Sequence, residues 1–323
     1  MKNATKPALL LAAALVLAGC ILFAGVMSDL RWDFMKLSTV TYETNTYEIG
    51  EAFEHISIHT DTADIVFAVS NDETCKVVCY EEENAAHCVT VENGALTVKP
   101  ADDRSVTDYI GHIGINFGSP RITVYLPKTQ YTSLLIREDT GDITIPKDFQ
   151  FRNIRIGLST GDVDLFASAS EEITVEGSTG SIRVQNISAG SLTICVTTGK
   201  VTAVGVDCRG TVAVNVSTGK ANLADIVCQE LTSIGNTGDI SLQNVIAQEQ
   251  LRIQRSTGDI SFDRCDAAEI TVQTSTGDVT GSLLTEKVFI TQTSTGKIDV
   301  PKTNAGGRCY ITTSTGRITI TVG

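Results

Sequence analysis

Ten times between residues 140 and 316 the chain writes Thr-Gly at a near-constant interval, and that regularity constrains its fold more than any other feature. The glycines are Gly141, Gly161, Gly180, Gly199, Gly219, Gly238, Gly258, Gly277, Gly296 and Gly316, with successive gaps of 20, 19, 19, 20, 19, 20, 19, 19 and 20. Self-similarity at a fixed period near twenty residues is the mark of a solenoid. One repeat cannot bury its own apolar face, so it stacks on the next.

Alternation inside the repeat gives the type of solenoid. Two residues after the glycine come aliphatics such as Ile143, Val163, Ile182, Ile240, Ile260 and Ile318, and four after it Ile145, Leu165, Val184, Leu242 and Phe262. Seven and five before it stand pairs such as Ile173/Val175, Leu192/Ile194, Leu251/Ile253 and Ile270/Val272. Spacing by two in β-branched residues is strand periodicity, and no helical stripe competes with it. The reading is an all-β parallel β-helix, a β-solenoid of rungs of about 19–20 residues. Each rung has two short strands joined at Thr-Gly and a looser return segment. Glycine suits the corner because it takes positive φ without a Cβ clash. Residues 147–300 contain no proline, as ladders that need an N–H at every step require. Ten corners at about 4.8 Å per rung predict a rod of about 50 Å.

Upstream the pattern is degraded. HISIHTDTADIVF (residues 55–67) fits with Ala63 at the glycine position, VTVENGALTV (residues 89–98) fits around Gly94, and RITVYLP (residues 121–127) reads as a strand. The expected division is 1–28 as a signal anchor or lipoprotein signal, 29–50 as a juxtamembrane linker, 51–130 as irregular early rungs and a cap, and 131–323 as the regular solenoid.

Residues 7–27, PALLLAAALVLAGCILFAGVM, carry no charge, and twenty-one residues make a helix of about 31 Å, enough to cross a membrane. Lys2 and Lys6 precede the run, while Asp29, Arg31 and Asp33 follow, which puts the remainder outside the cytoplasm. Leu17-Ala18-Gly19-Cys20 also fits a lipoprotein box with Cys20 as the lipidated residue, and ordinary cleavage is a third reading. All three export the rest of the chain; the uncleaved anchor, the leading reading, makes it a single-pass protein of the bacterial cytoplasmic membrane with an extracytoplasmic carboxyl-terminal domain.

The (S/T)TG-(D/K)-(I/V) repeats, the ITVYLP strand before the first regular rung and the N-terminal anchor resemble the bacterial DUF4097 family over roughly residues 45–323. That resemblance implies a β-strand-repeat protein of the kind labelled as candidate adhesins, with gene contexts in cell-envelope stress and regulation. It transfers no catalytic motif.

The residues that could carry chemistry have structural readings beside the functional ones. Of nine cysteines, Cys208, Cys228, Cys265 and Cys309 fall in columns otherwise filled by Ala, Ile, Val or Leu, where a thiol acts as a small hydrophobe. A strained Cys208–Cys228 bridge and a Cys79–Cys88 bridge across a hairpin stay open, and Cys195 is expected on the outer face. Cys75, Cys79 and Cys88 lack an evident fourth metal ligand. His55, His59, His87 and His112 read as surface residues. Asp239, Asp259 and Asp278, each following a corner glycine, are the calcium candidates. No cofactor is expected.

A net charge of −13 argues against an electrostatic nucleic-acid binder. Repeat spacing that varies by one residue leaves no room for the inserted loops that carry catalytic groups on β-helices. The expected function is therefore non-enzymatic: a membrane-anchored, extracytoplasmic module for binding or envelope-stress regulation, with a cell-wall polymer or envelope protein as partner. The alternative is an adhesin or self-assembling protein pairing end to end, and a carbohydrate-active enzyme ranks last.

Overall fold

The computed structural model describes residues 5–33, 40–101 and 118–323, so His112 and parts of the expected linker and cap lie outside the described residues. One helix, Thr5–Asp29, precedes a sheet in which all the strands are connected by hydrogen bonds. The helix is long and apolar enough to cross a membrane, and none of its apolar window is buried against the protein. Leu10, Leu15, Leu17 and Leu22 each expose more than 60% of their surface, so a nonpolar medium must cover them or the segment must be removed. That fits a membrane anchor or a signal sequence.

From Gly141 to Gly277 the rungs stack in sequence order as parallel ladders, with Thr218 beside Thr198, Gly219 beside Gly199 and Ala221 beside Val201. The corner glycines have φ between 127° and 156°. A second requirement, not visible in the alternation, is closeness: a Cβ on Gly219 would stand 1.7 Å from the carbonyl oxygen of Gly199, and one on Gly258 2.2 Å from that of Gly238. The corner is a column of glycines in van der Waals contact, one per rung.

The return segment is more ordered than expected. Six residues past the corner lie Asn186, Asp225, Asn244 and Arg264 with φ of 50–54° and Gly205 with φ of 66°, a second corner of left-handed residues. After it a third side pairs Ile226 with Val245 and Cys228 with Ala247. The interior is a continuous aliphatic column in which Ile194, Val214, Leu231, Leu251, Ile253 and Ile270 are fully buried.

The amino-terminal end departs from simple stacking. Strands β1 (Tyr42–Ile49), β2 (His55–Thr62), β3 (Asp64–Val69), β4 (Cys75–Glu82), β5 (His87–Glu92), β6 (Ala95–Pro100), β7 (Arg121–Leu126), β8 (Gln130–Thr140) and β9 (Ile143–Ile145) build one rung and a cap. β2 and β3 form a true rung on β8 and β9, with Thr62 beside Thr140 as the Ala63 alignment predicts. The Gly94 reading is corrected: Asn93 and Gly94, with φ of 52° and 75°, form a tight turn that folds β5 back antiparallel on β6. An Asn-Gly pair with both φ positive matches the strand twist of a two-residue hairpin, so the chain reverses instead of turning a solenoid corner. The linker expected over 29–50 is also corrected, because β1 pairs antiparallel with β4, which pairs antiparallel with β7. Its alternation of half-buried and exposed residues gives β1 an apolar face to dock.

At the carboxyl end the order of rungs changes. Strand Gly307–Thr315 pairs on one side with residues 269–276 and on the other with Lys287–Thr295. The last rung in sequence is inserted below the penultimate one, which becomes the end of the stack. Cys309, Ile311, Ile318 and Ile320 of the inserted rung are buried, whereas Ile290 and Ile298 of the outer one are 48% and 40% exposed. The rung with unbroken inward alternation takes the position that has neighbours on both sides.

Candidate functional site

A groove of about 580 Å³ runs along the rod on the strand face that precedes the Thr-Gly corner, from His59 on β2 to Ser217. Six rungs contribute, so its length is about five steps of 4.8 Å, or about 24 Å. The outward column four residues before the corner glycine reads Arg137, Gly157, Glu176, Cys195 and Asn215. Gly157 is the gap in that column: a Cβ there would find nothing nearer than 4.0 Å, and its φ is not in the left-handed region. Neither backbone geometry nor packing demands glycine at this point, and its effect is to keep the groove deep.

Behind the groove wall Glu138 is the unusual group, its side chain turned inward between exposed Arg137 and Asp139. It is only 4% exposed, its Oε1 accepts the Ala63 amide at 3.0 Å, and its Oε2 has no partner. Burial pushes its pKa from 4.5 up to about 8, with Asp64, Asp142 and Asp139 adding to the rise against the Ala63 hydrogen bond. At pH 7 the group is mostly a neutral carboxylic acid, able to donate a hydrogen bond. Around it lie Arg137, Asp139 and Glu176 together with Ser159, Ser178, Thr197 and Asn215, a lining rich in hydroxyl and amide groups. Such a surface can hydrogen-bond an extended polar chain laid parallel to the rod.

The sequence-derived candidates fall elsewhere. The amide of Asp259 donates to Asp239 Oδ1 at 3.2 Å, that of Asp278 to Asp259 Oδ1 at 2.8 Å, and that of Arg317 to Asp278 Oδ1 at 2.7 Å. Asp239 is further paired with Lys220 at 3.1 Å and Asp278 with Arg317 at 2.6 Å. These hydrogen bonds hold both carboxylates below the usual range. The structure thus gives the calcium candidates a different task, which is to clip each corner to the next. The ten corner glycines form the spine already described. All nine cysteines are free thiols: Cys208, Cys228, Cys265 and Cys309 are buried, Cys195 is half-buried beside Asn215, and Cys20 is exposed on the helix.

His55 and His59 are exposed as expected, but His87 is 6% exposed and belongs to a buried polar cluster in the cap. Its Nδ1 lies 2.6 Å from Glu81 Oε2 and its Nε2 2.8 Å from Thr60 Oγ1. The same Glu81 oxygen accepts the His87 amide at 2.8 Å, while Oε1 accepts Asn45 Nδ2 at 2.8 Å. Burial pushes the Glu81 carboxyl up, but the hydrogen bonds from His87 and Asn45 outweigh it and leave the pKa lowered. Tyr47 donates to the His87 carbonyl at 2.8 Å, and its own pKa is raised, by burial first and then by Glu81. One signal could have found this cluster. Cys75, Val77, Cys79 and Glu81 alternate along β4, which puts Glu81 on the same inward face as the thiols.

The family model described as Toastrack DUF4097 matches residues 53–321. Among solved structures, a candidate adhesin from Bacteroides fragilis is 16% identical, covering 87% of this chain and 97% of its own at a TM-score of 0.39. A candidate lipid-binding protein from Parabacteroides distasonis is 16% identical, with 76% and 95% covered and a TM-score of 0.45. A candidate adhesin from the same species is 9% identical, with 87% and 98% covered and a TM-score of 0.43. No curated protein matches.

Proposed function

The chain belongs to the Toastrack DUF4097 family, and from that premise we propose that it is a membrane-anchored, extracytoplasmic binding module without enzymatic activity, whose groove holds an extended wall polysaccharide. The single observation that carries this reading is the groove itself, kept open at Gly157 and lined by hydroxyl and amide side chains. Sugar polymers present rows of hydroxyl groups, each both donor and acceptor. The groove answers with Ser159, Ser178, Thr197 and Asn215 as mixed partners. The exposed apolar helix supports attachment to the membrane, with the rod on the outer side. Near-constant rung spacing from residue 141 to 316 supports a binding role, since it leaves no room there for inserted loops that bring catalytic groups over a ligand. Occupancy of such a rod would report the state of the envelope to a partner, which is how a regulatory role would arise.

Calorimetric titration of the detergent-solubilised chain with soluble wall polysaccharide tests the proposal. The expected result is saturable binding that Gly157→Leu weakens at least tenfold (~1.4 kcal/mol) while leaving the melting temperature within a few degrees. Undiminished binding by Gly157→Leu would remove the groove from the account, and release of new reducing ends would overturn the non-enzymatic reading.

A second reading, self-association, is favoured by the terminal rung. Among the described residues no strand pairs with the outer edge of Lys287–Thr295, and Ile290 and Ile298 are exposed beside it. The opposite end is covered by antiparallel cap strands, so copies would meet carboxyl end to carboxyl end. Light scattering that shows a dimer, abolished by Ile290→Glu, supports this reading; a monomer at every concentration removes it.

A further inference from the structure

We propose that Cys79, Glu81 and His87 form a binding site for a divalent transition ion of the zinc type, placed in the amino-terminal cap and independent of the groove. One donor atom from each residue lies within 4.8 Å of the other two, and all three side chains are buried. Zinc takes sulfur at about 2.3 Å and nitrogen or oxygen at about 2.0–2.2 Å, so donors around a tetrahedral ion stand about 3.5 Å apart. The longer separations close by about an ångström and the His87–Glu81 pair, at 2.6 Å, opens by about as much, both within reach of side-chain rotation on β4 and at the start of β5. A thiolate, an imidazole and a carboxylate together suit zinc; magnesium and calcium prefer oxygen alone.

The surrounding contacts are those that orient ligands. In the empty site His87 Nδ1 hydrogen-bonds Glu81 Oε2; on loading, the ring takes the tautomer in which Nε2–H donates to Thr60 Oγ1 and Nδ1 offers its lone pair to the ion. Asn45 holds Oε1 of Glu81 and leaves Oε2 facing the imidazole. Hydrogen bonds of this kind fix ring orientation and raise ligand basicity in metal sites. The fourth position opens on a cavity of about 230 Å³ lined by Thr60, Glu81 and His87, which admits the ion and leaves room for a water or a small anion. Three protein ligands and one open position describe an exchangeable site rather than a closed structural one.

Loading balances in charge and protons. The Cys79 thiol is buried and must give up its proton to bind a metal ion. As the metal–sulfur bond forms, that proton leaves to solvent, and thiolate plus carboxylate offset the two positive charges of the ion. Affinity therefore rises with pH through proton release.

Titration of the full chain in detergent with Co²⁺ as a spectroscopic probe, followed by competition with Zn²⁺, tests the site. The expected result is one equivalent of cobalt with a near-ultraviolet thiolate charge-transfer band and tetrahedral d–d bands, both lost on adding Zn²⁺. Cys79→Ser should remove the charge-transfer band, while Thr60→Val and Asn45→Ala, which keep all three ligands, should weaken Zn²⁺ about 10-fold or more. Circular dichroism establishes which variants fold, and the Thr60 and Asn45 variants carry the test if Cys79→Ser does not. A folded wild-type chain that shows no cobalt band, or a band that survives Cys79→Ser, overturns the proposal; so does unchanged Zn²⁺ affinity in both of the other variants.

Discussion

The amide of Gly277 donates to the carbonyl of Thr315 at 2.9 Å, and the amide of Gly316 donates in turn to Thr295 at 2.9 Å. The Thr295–Gly296 corner, next in sequence after Gly277, is therefore one layer further out. A chain whose rungs are near copies of one another has many almost equivalent ladder partners, and here the final two exchange places. The outer rung carries Lys287 at an inward slot, where its ammonium pairs with Asp266 at 2.5 Å. The inner rung has Gly307 opposite Lys287, and Cys309 and Ile311 opposite Phe289 and Thr291. An end layer tolerates a charged residue with a partner; an internal layer covered on both sides would strand it.

This order predicts an inverted protection pattern in hydrogen exchange. Amides of residues 309–320 should exchange more slowly than those of 288–298, although they lie nearer the chain terminus, because they are laddered on both sides. Faster exchange for 309–320 would show that the rungs stack in sequence order after all.

Two glycines five rungs apart should respond differently to substitution. Gly258→Val places a Cβ 2.2 Å from the Gly238 carbonyl at a φ of 144°, and we expect a loss of about 1–3 kcal/mol in thermal or denaturant melts. Gly157→Ala meets nothing closer than 4.0 Å and should change stability by less than about 0.5 kcal/mol. Equal effects at the two positions would contradict the glycine-column corner.

Glu138 makes stability fall as the solution becomes alkaline. Its folded pKa of about 8 lies above the ordinary 4.5, so the native state holds the proton more tightly than the unfolded chain does. The favourable contribution is complete below about 4.5, is lost progressively as pH rises toward 8, and is gone above it. Glu138→Gln keeps an acceptor for the Ala63 amide and cannot ionise. Its melting temperature should match wild type near pH 5 and exceed it by pH 9. Parallel pH profiles for the two proteins would mean that the carboxyl does not titrate in this way.

Among the described residues Arg255 is a further buried ionisable group without an ionic partner. It is 3% exposed and donates from Nη2 to Ser233 Oγ at 3.1 Å, while Nε and Nη1 have no partner. Burial lowers its pKa. Arg255→Met, similar in length and free of the desolvation penalty, should stabilise the rod by about 1–3 kcal/mol in chemical denaturation. A destabilised variant would point to a partner for the guanidinium inside the rod.

Much of the architecture was readable before any coordinates. The period of the Thr-Gly corner, the inward columns at fixed offsets from it and the placement of Cys208, Cys228, Cys265 and Cys309 in aliphatic slots follow from one-dimensional spacing. Alternation decides which face of a strand is dry whatever the strand pairs with. Even the second corner had a trace, in the column Asn186, Gly205, Asp225 and Asn244, since these residue types tolerate left-handed backbone. Ladder hydrogen bonds, by contrast, join backbone to backbone and are blind to side-chain identity, so spacing cannot tell which rung lies on which. Only the folded chain decided that Thr315 sits above Gly277, that Asn93-Gly94 closes a hairpin rather than a rung, and that Glu81, His87 and Thr60 meet. Those choices rest on contacts between segments far apart in the chain, where burial and end effects rather than local pattern set the energy.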